Sequence, residues 1–268
     1  MGAMTDGVFR SDLLEGKVAL VTGGGSGICK GIARAFMAHG ADTAIVGRKQ
    51  DRLEASAEEL SSTTGRRCLA AAGDVRDPES VRSVVERTLE RFGRIDVLVN
   101  GAAGNFLAPA AQLSSNGFKT VLDIDTAGTY NVSRAAFDGY LREHGGHILN
   151  ISATLHYAAT PLQVHASAAK AGVDAITRTL AVEWGQLGIR VNGIAPGPIA
   201  DTEGISRLAP GDVKERMEQA IPIGRMGRID EIAALALFLV SPAASLIHGE
   251  TVVADGGAWL VGTAFARM

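Results

Sequence analysis

The sequence predicts a single doubly wound α/β domain, residues 1–268, with a central parallel sheet of about seven strands and helices on both faces. Three observations lead there. Apolar, β-rich runs alternate with longer segments of helical periodicity, and those runs are near-continuous, as in strands covered on both faces. The 33 glycines cluster at the ends of the apolar runs, as in an α/β fold rather than a low-complexity chain. At 268 residues and 46% hydrophobic, the chain can bury a sizeable core.

The elements follow in order. Lys17–Gly23 reads as a buried strand and Ser26–His39 as a helix closed by Gly40. Asp42–Gly47 is the next strand, and Asp51–Ser62 a charged amphipathic helix. Further strands are expected at Arg67–Gly73, Ile95–Asn100, His147–Ser152, Arg190–Ile194 and Thr251–Ala254. Helices are expected near Pro78–Phe92, Ser115–Asp123, Gly128–Glu143, Val164–Gln186 and Asp230–Leu239. Residues 1–12 read as an N-terminal arm and 260–268 as a tail. The loop-like stretch 200–218 reads as a substrate lid or a plain surface excursion.

Bulk properties exclude several classes. A net charge of -3 gives no basic field for nucleic acid or acidic membranes. No apolar run reaches spanning length and no signal peptide is visible, so no membrane insertion is expected. Cys29 and Cys68 show neither disulfide-framework nor metal spacing, so no metal is expected.

The first strand runs into Thr22-Gly23-Gly24-Gly25-Ser26-Gly27-Ile28-Cys29. Strand, glycine-rich turn, helix is the context that makes a glycine motif a dinucleotide site. The backbone can approach a pyrophosphate, and the helix N-terminus presents free amides to it. The second strand ends Ile45-Val46-Gly47-Arg48-Lys49. No carboxylate stands there for ribose hydroxyls, while Arg48 and Lys49 offer charge for a 2′-phosphate, which favours NADPH over NADH.

These motifs resemble the short-chain dehydrogenase/reductase family over nearly the whole chain, which implies a Rossmann-type fold. Thr22, Gly23 and Gly27 match its Thr-Gly-x-x-x-Gly-x-Gly turn, and Cys29 replaces the last glycine. The resemblance implies cofactor contacts at Gly25, Ser26, Ile28, Asp74 and Val75. It extends them to Asn100, Ala102 and Ala103 in Asn100-Gly101-Ala102-Ala103-Gly104, and to Pro196, Gly197, Ile199 and Thr202. A thiol at 29 is expected to shift the helix slightly; a reactive Cys29 is the sharper alternative.

The family's catalytic set is Asn, Ser, Tyr and Lys. Ser152 fits the serine, and Lys170 fits the lysine that also binds the nicotinamide ribose. The tyrosine position, one helical turn before Lys170, holds Ala166, and the asparagine position holds Asp125. Alanine has no acidic hydrogen, so ordinary alcohol–ketone chemistry loses its donor.

A wider pattern is similar to the 2,4-dienoyl-CoA reductases of peroxisomes, which share both departures. It spans Ala102–Phe106, Phe118–Gly128, Ile151–Tyr157, Ala195–Ile199 with Thr202–Gly204, and Ala254–Trp259. The resemblance implies an acyl-CoA thioester substrate, NADPH-dependent reduction to a 3-enoyl-CoA in β-oxidation of unsaturated fatty acids, and catalytic roles for Asp125, Lys170 and Ser152. Asn105, Phe106, Ser152 and Ser167 are the expected substrate-side residues. Asp125, preferably through a held water, is the expected proton source, with His165, His156, Tyr157 and Asp255 as alternatives. Arg207, Lys214 and Arg216 are candidates for the CoA phosphates or a solvated helix face. A homodimer or homotetramer through the helices at Gly128–Glu143 and Val164–Gln186 is implied by resemblance alone. The terminal Ala266-Arg267-Met268 follows the small–basic–aliphatic pattern of a peroxisomal address, which implies an import receptor as partner; an ordinary terminus is the alternative. The other readings are a reductase of enoyl or 3-oxoacyl thioesters, and a silent NADP-binding sensor or scaffold.

Overall fold

The computed structural model describes residues 7–200, 202, 215 and 218–261. Seven strands form one parallel sheet in the order β3-β2-β1-β4-β5-β6-β7. They are β1 (Val18–Thr22), β2 (Asp42–Gly47), β3 (Cys68–Ala72), β4 (Val97–Asn100), β5 (Gly146–Ile151), β6 (Ile189–Pro196) and β7 (Thr251–Ala254). The helices are α1 (Gly27–Ala38), α2 (Gln50–Thr64), α3 (Pro78–Phe92), α4 (Ser115–Leu122), α5 (Gly128–Ala136), α6 (Arg142–His144), α7 (Val164–Trp184) and α8 (Ile229–Val240).

Side chains on a strand alternate between its faces, and β1 divides the core accordingly. Ala19 and Val21 pack with Ile32 and Phe36 of α1 and Leu237 of α8. Leu20 faces the other layer, with Val84 of α3, Val132 of α5 and Trp184 of α7. Layers on both faces explain why the strands read as unbroken apolar runs. On α7, Val173, Leu180 and Trp184 are buried within the chain itself, so this stripe is core and not an exposed contact face.

The chain expected as two helices at Ser115–Asp123 and Gly128–Glu143 is helical throughout. Widened π turns at Asp123–Ala127 and Phe137–Leu141 join α4, α5 and α6. A glycine at 128 suggests a helix start, but its role is packing. A β-carbon there would lie 2.6 Å from Cγ2 of Val75. The Asp125 carbonyl in the π turn accepts the Thr129 hydroxyl at 2.6 Å. β6 runs two residues beyond the expected Ile194, pairing Ala195 with Val253 and Pro196 with Ala254.

The strand order reverses between β1 and β4, and a doubly wound sheet binds ligands outside the carboxyl ends of its strands at such a point. Thr22, Asn100, Ser152 and Pro196 all lie at that edge. Most of the expected lid, the candidate cations Arg207, Lys214 and Arg216, and the terminal Ala266-Arg267-Met268 lie outside the described residues.

Candidate active site

The glycine turn is held from below by Thr22, whose hydroxyl oxygen accepts the amides of Gly101 (2.9 Å) and Ala102 (3.1 Å). This ties the end of β1 to the end of β4. Gly23 has φ +71°, and a β-carbon on it would lie 2.7 Å from the Gly101 carbonyl oxygen, so glycine is required twice over. At Gly27 no atom comes within 4 Å of an added β-carbon. Gly25 is steadied from α2, where Ser56 donates to its carbonyl at 3.1 Å. Ser26 occupies the N-cap of α1 without a side-chain cap bond, so the first-turn amides keep their capacity for an anion. Ile28 is half-buried against the core. An open turn with uncapped amides fits a dinucleotide pyrophosphate.

Cys29 is buried, and burial pushes its thiol up to about 12, with the charge of Lys170 pulling weakly the other way. That removes the reactive-thiol reading. The expected helix shift has a different resolution: a β-carbon on Gly101 would lie 2.0 Å from the Cys29 sulfur, so the thiol takes space that a glycine at 101 leaves free.

Arg48 and Lys49 are exposed at the end of β2. Asp74 accepts the Arg76 guanidinium, which holds its carboxyl below the usual carboxylate range. Val75 is buried and its carbonyl accepts the Asn131 amide at 2.9 Å. Asn100 braces the sheet, donating to Ser133 Oγ and Asn150 Oδ1, both at 2.9 Å. Ala102 is half-buried and Ala103 exposed at the same edge. Pro196 closes β6, and the Gly197 amide bonds the Ala254 carbonyl. Ile199 is buried beside Gly227, and Thr202 donates to the Ile199 carbonyl at 2.8 Å.

At the reacting end, the π turn points Asp125 inward at 2% exposure. One carboxylate oxygen accepts the Gly104 amide at 2.7 Å; the other faces the Lys170 ammonium at 3.0 Å. Lys170 also donates to the Ile151 carbonyl at 2.9 Å. Both partners of Asp125 are donors, which is the geometry of a carboxylate. An ammonium has three hydrogens, and one is left for a ligand. Ser152 is buried, and among the described residues its hydroxyl has no hydrogen-bond partner. Buried hydroxyls are normally paired, so Ser152 is ready for a ligand atom. Ala166, a turn before Lys170, is buried and brings no polar group.

The flanking loops are tied together. Asn105 donates to Gln163 at 2.6 Å, and the Ala108 amide bonds the Leu162 carbonyl. Leu162 has φ 65°, the one non-glycine among the described residues with positive φ, which concentrates strain beside the site. Phe106 is half-exposed and stacks at 4.4 Å on His165, whose Nε2 donates to the Phe106 carbonyl at 3.0 Å. Ser167 donates to the Leu155 carbonyl at 3.3 Å. His156 and Tyr157 both bond Asp174, a buried residue that sequence reading did not single out. Asp255 accepts the amides of Gly257 and Trp259, both at 2.8 Å, and so is a turn-forming aspartate. Tyr157 and Asp255 are thus bonded within the fold, whereas His156 and His165 each keep a buried Nδ1 without a partner among the described residues. Among the described residues no metal-binding cluster occurs, and no helix is long and apolar enough to cross a membrane.

Residues 23–258 match the family model for enoyl-(acyl carrier protein) reductase. The chain is 52% identical over 254 residues to a peroxisomal 2,4-dienoyl-CoA reductase of Danio rerio, covering 94% of this chain and 85% of that one. It is 46% identical over 267 residues to the peroxisomal 2,4-dienoyl-CoA reductase of Saccharomyces cerevisiae, covering 98% and 91%. Among solved structures, a citronellol catabolism dehydrogenase of Pseudomonas aeruginosa superposes with TM-score 0.84 at 38% identity, covering 94% of this chain and 99% of that one. The chain belongs to the short-chain dehydrogenase/reductase family.

A short-chain dehydrogenase/reductase is an oxidoreductase that uses a nicotinamide cofactor, and the glycine turn here is built for one. The two departures from the family's set stand together. Ala166 removes the phenol, and the carboxylate at 125 gives Lys170 a full counter-charge at 3.0 Å. Sequence reading found both positions. The direct ion pair emerges only from the fold, because the π turn and α7 are far apart in the chain.

Proposed function

We propose that this chain is an NADPH-dependent 2,4-dienoyl-CoA reductase of peroxisomal β-oxidation. The observation that carries the reading is the buried Asp125–Lys170 pair beside an alanine, Ala166, where the family places its proton donor. Relatives at about half identity bear that name, which supports it.

Reduction of a 2,4-dienoyl thioester adds hydride at the δ carbon and a proton at the α carbon, giving the 3-enoyl thioester. When bound, the reduced nicotinamide supplies the hydride. Thr22, Gly23, the amides of the turn through Ile28, Asn100, Ala102, Ala103, Pro196, Gly197, Ile199 and Thr202 would hold the cofactor. Arg48 and Lys49 would take a 2′-phosphate. Electron density collects on the thioester oxygen, and no alcohol forms, so a phenol at 166 has no task. Lys170 supplies a buried positive charge for that oxygen, with Ser152 as a neutral donor. Asp125 keeps Lys170 in place and itself holds the water that protonates the α carbon. Asn105 and Phe106, and Ser167 through the Leu155 loop, shape the substrate side. Import through Ala266-Arg267-Met268 and assembly into a dimer or tetramer complete the reading.

The test is oxidation of NADPH with a six-carbon 2,4-dienoyl-CoA, beside a 3-oxoacyl-CoA and an NADH control. Turnover confined to the dienoyl thioester with NADPH is expected. Tight NADPH binding without turnover on either thioester would replace this reading with a silent nucleotide-binding protein.

A further inference from the structure

Tyr157 and Trp259 meet edge to face, with ring centres 5.8 Å apart at 76°. They come from separate segments. Tyr157 follows β5 and Trp259 follows β7, both at the carboxyl edge where Ser152 and Pro196 lie.

The Tyr157 ring and the Trp259 backbone are each held by a carboxylate. The Tyr157 hydroxyl donates to Oδ2 of Asp174 at 2.9 Å, and Nε2 of His156 reaches the same oxygen at 2.9 Å. Asp174 is buried on α7, one turn beyond Lys170, and its other oxygen faces the Thr251 hydroxyl at 3.4 Å at the head of β7. A buried carboxylate needs such donors, so the node is held as a unit. Trp259 is held by its amide on Asp255.

The rings nonetheless leave apolar surface open. Trp259 is 38% exposed, Leu260 70% and Ile223 55%. Ile223 lies against the same segment, since a β-carbon on Gly256 would come 2.6 Å from its Cγ1. The turn that carries Trp259 abuts the Pro196–Gly197 loop, since a β-carbon on Gly197 would lie 2.4 Å from Cβ of Asp255, and exposed apolar side chains beside a site mark where an apolar ligand part rests.

We infer that Tyr157, Trp259 and Ile223 form a shelf for the hydrocarbon tail of the acyl substrate, and that Asp174 is the positioning residue that fixes it. The inference rests on the acyl-thioester reading above. Tyr157, Trp259 and Ile223 bring no positive charge, so this surface suits the hydrocarbon end of the substrate better than the phosphates of CoA.

The experiment compares kcat/KM for a ten-carbon and a six-carbon 2,4-dienoyl-CoA in the wild-type protein and in Trp259→Ala, Ile223→Ser and Asp174→Asn. The ten- to six-carbon ratio is expected to fall about tenfold in Trp259→Ala, through KM, and severalfold in the other two. A merely structural role for Asp174 would reduce both substrates alike and leave the ratio where it was. Unchanged ratios in variants that still turn over the six-carbon substrate would overturn the shelf and leave the reductase reading standing. Failure of the wild-type protein on both substrates would instead remove the reductase reading, and the shelf with it. Ile223→Ser, at an exposed position, carries the test if Trp259→Ala does not fold.

Discussion

The sulfur of Cys29 stands 2.0 Å from the place a β-carbon on Gly101 would occupy. The two positions are complementary across the junction of α1 and the β4 loop: one side chain fits, two do not. Gly101→Asn is therefore expected to cost about 1–3 kcal/mol through overpacking. In a chain of this size that lowers Tm by roughly 2–4 °C per kcal/mol. Cys29→Gly alone loses roughly 0.3 kcal/mol of helix propensity as well as packing. The double variant should regain stability relative to the sum of the singles, and unfolding of all four proteins in one cycle measures that coupling. Strict additivity would show that the two sites do not share the space. Because burial pushes the thiol up to about 12, native Cys29 should also resist alkylating agents until the protein unfolds.

Asp125 and Lys170 form a buried pair, and breaking one side strands the other charge. Lys170→Met is expected to destabilise the fold by about 3–5 kcal/mol and to abolish turnover. Asp125→Asn keeps the shape and one acceptor. It should fold, bind NADPH and lose roughly 10²–10⁴ in kcat if the carboxylate places the proton-donating water. Separate measurement of cofactor Kd and single-turnover rate distinguishes the two roles. Near-normal turnover in Asp125→Ala would remove Asp125 from the mechanism.

Legibility in the sequence followed the range of the interactions. The strands and the glycine turn were readable because a two-sided parallel sheet writes itself as apolar runs ending in glycine, and every expected strand is present within a residue or two. Ser152, Lys170 and the substitutions Asp125 and Ala166 were readable through the resemblance to the family's motifs. The continuity of α4 to α6 was not, because Gly128 looks like a boundary and its packing partner Val75 is distant in the chain. Asp174 was missed for a similar reason: a lone aspartate on an amphipathic helix reads as surface until His156, Tyr157 and Thr251 are folded around it. Asp255 could be read equally as a catalytic or a turn residue, and two backbone amides decide for the turn.

Arg48 and Lys49 stand exposed at the end of β2, where Gly47 contributes no carboxylate. A phosphate gripped by charged donors is worth about 1.5–3 kcal/mol per hydrogen bond. Arg48→Ala with Lys49→Ala should therefore raise the KM for NADPH at least tenfold and leave the KM for NADH nearly unmoved. Steady-state kinetics with both cofactors checks this, and equal losses for the two would place the 2′-phosphate elsewhere.

His147 sets an acid limit on stability. It lies near the amino end of β5, and burial lowers its pKa to about 4, with Arg190 and Lys17 adding positive field. The unfolded chain binds this proton near pH 6.5 and the folded chain near 4, so the neutral imidazole belongs to the folded state. Its contribution is complete above pH ~6.5 and is lost progressively as pH falls toward ~4, amounting to roughly 2–3 kcal/mol over the window. Glu231 acts lower: its hydrogen bond from Arg225 depresses its pKa to about 2, so its contribution is lost only as pH falls from about 4.5 toward 2. Urea midpoints measured from about pH 7 down to about 2.5 should therefore fall in the wild-type protein. His147→Gln should flatten that slope and leave the loss below pH ~4 in place. An equally steep slope in the variant would assign the acid sensitivity to groups other than His147.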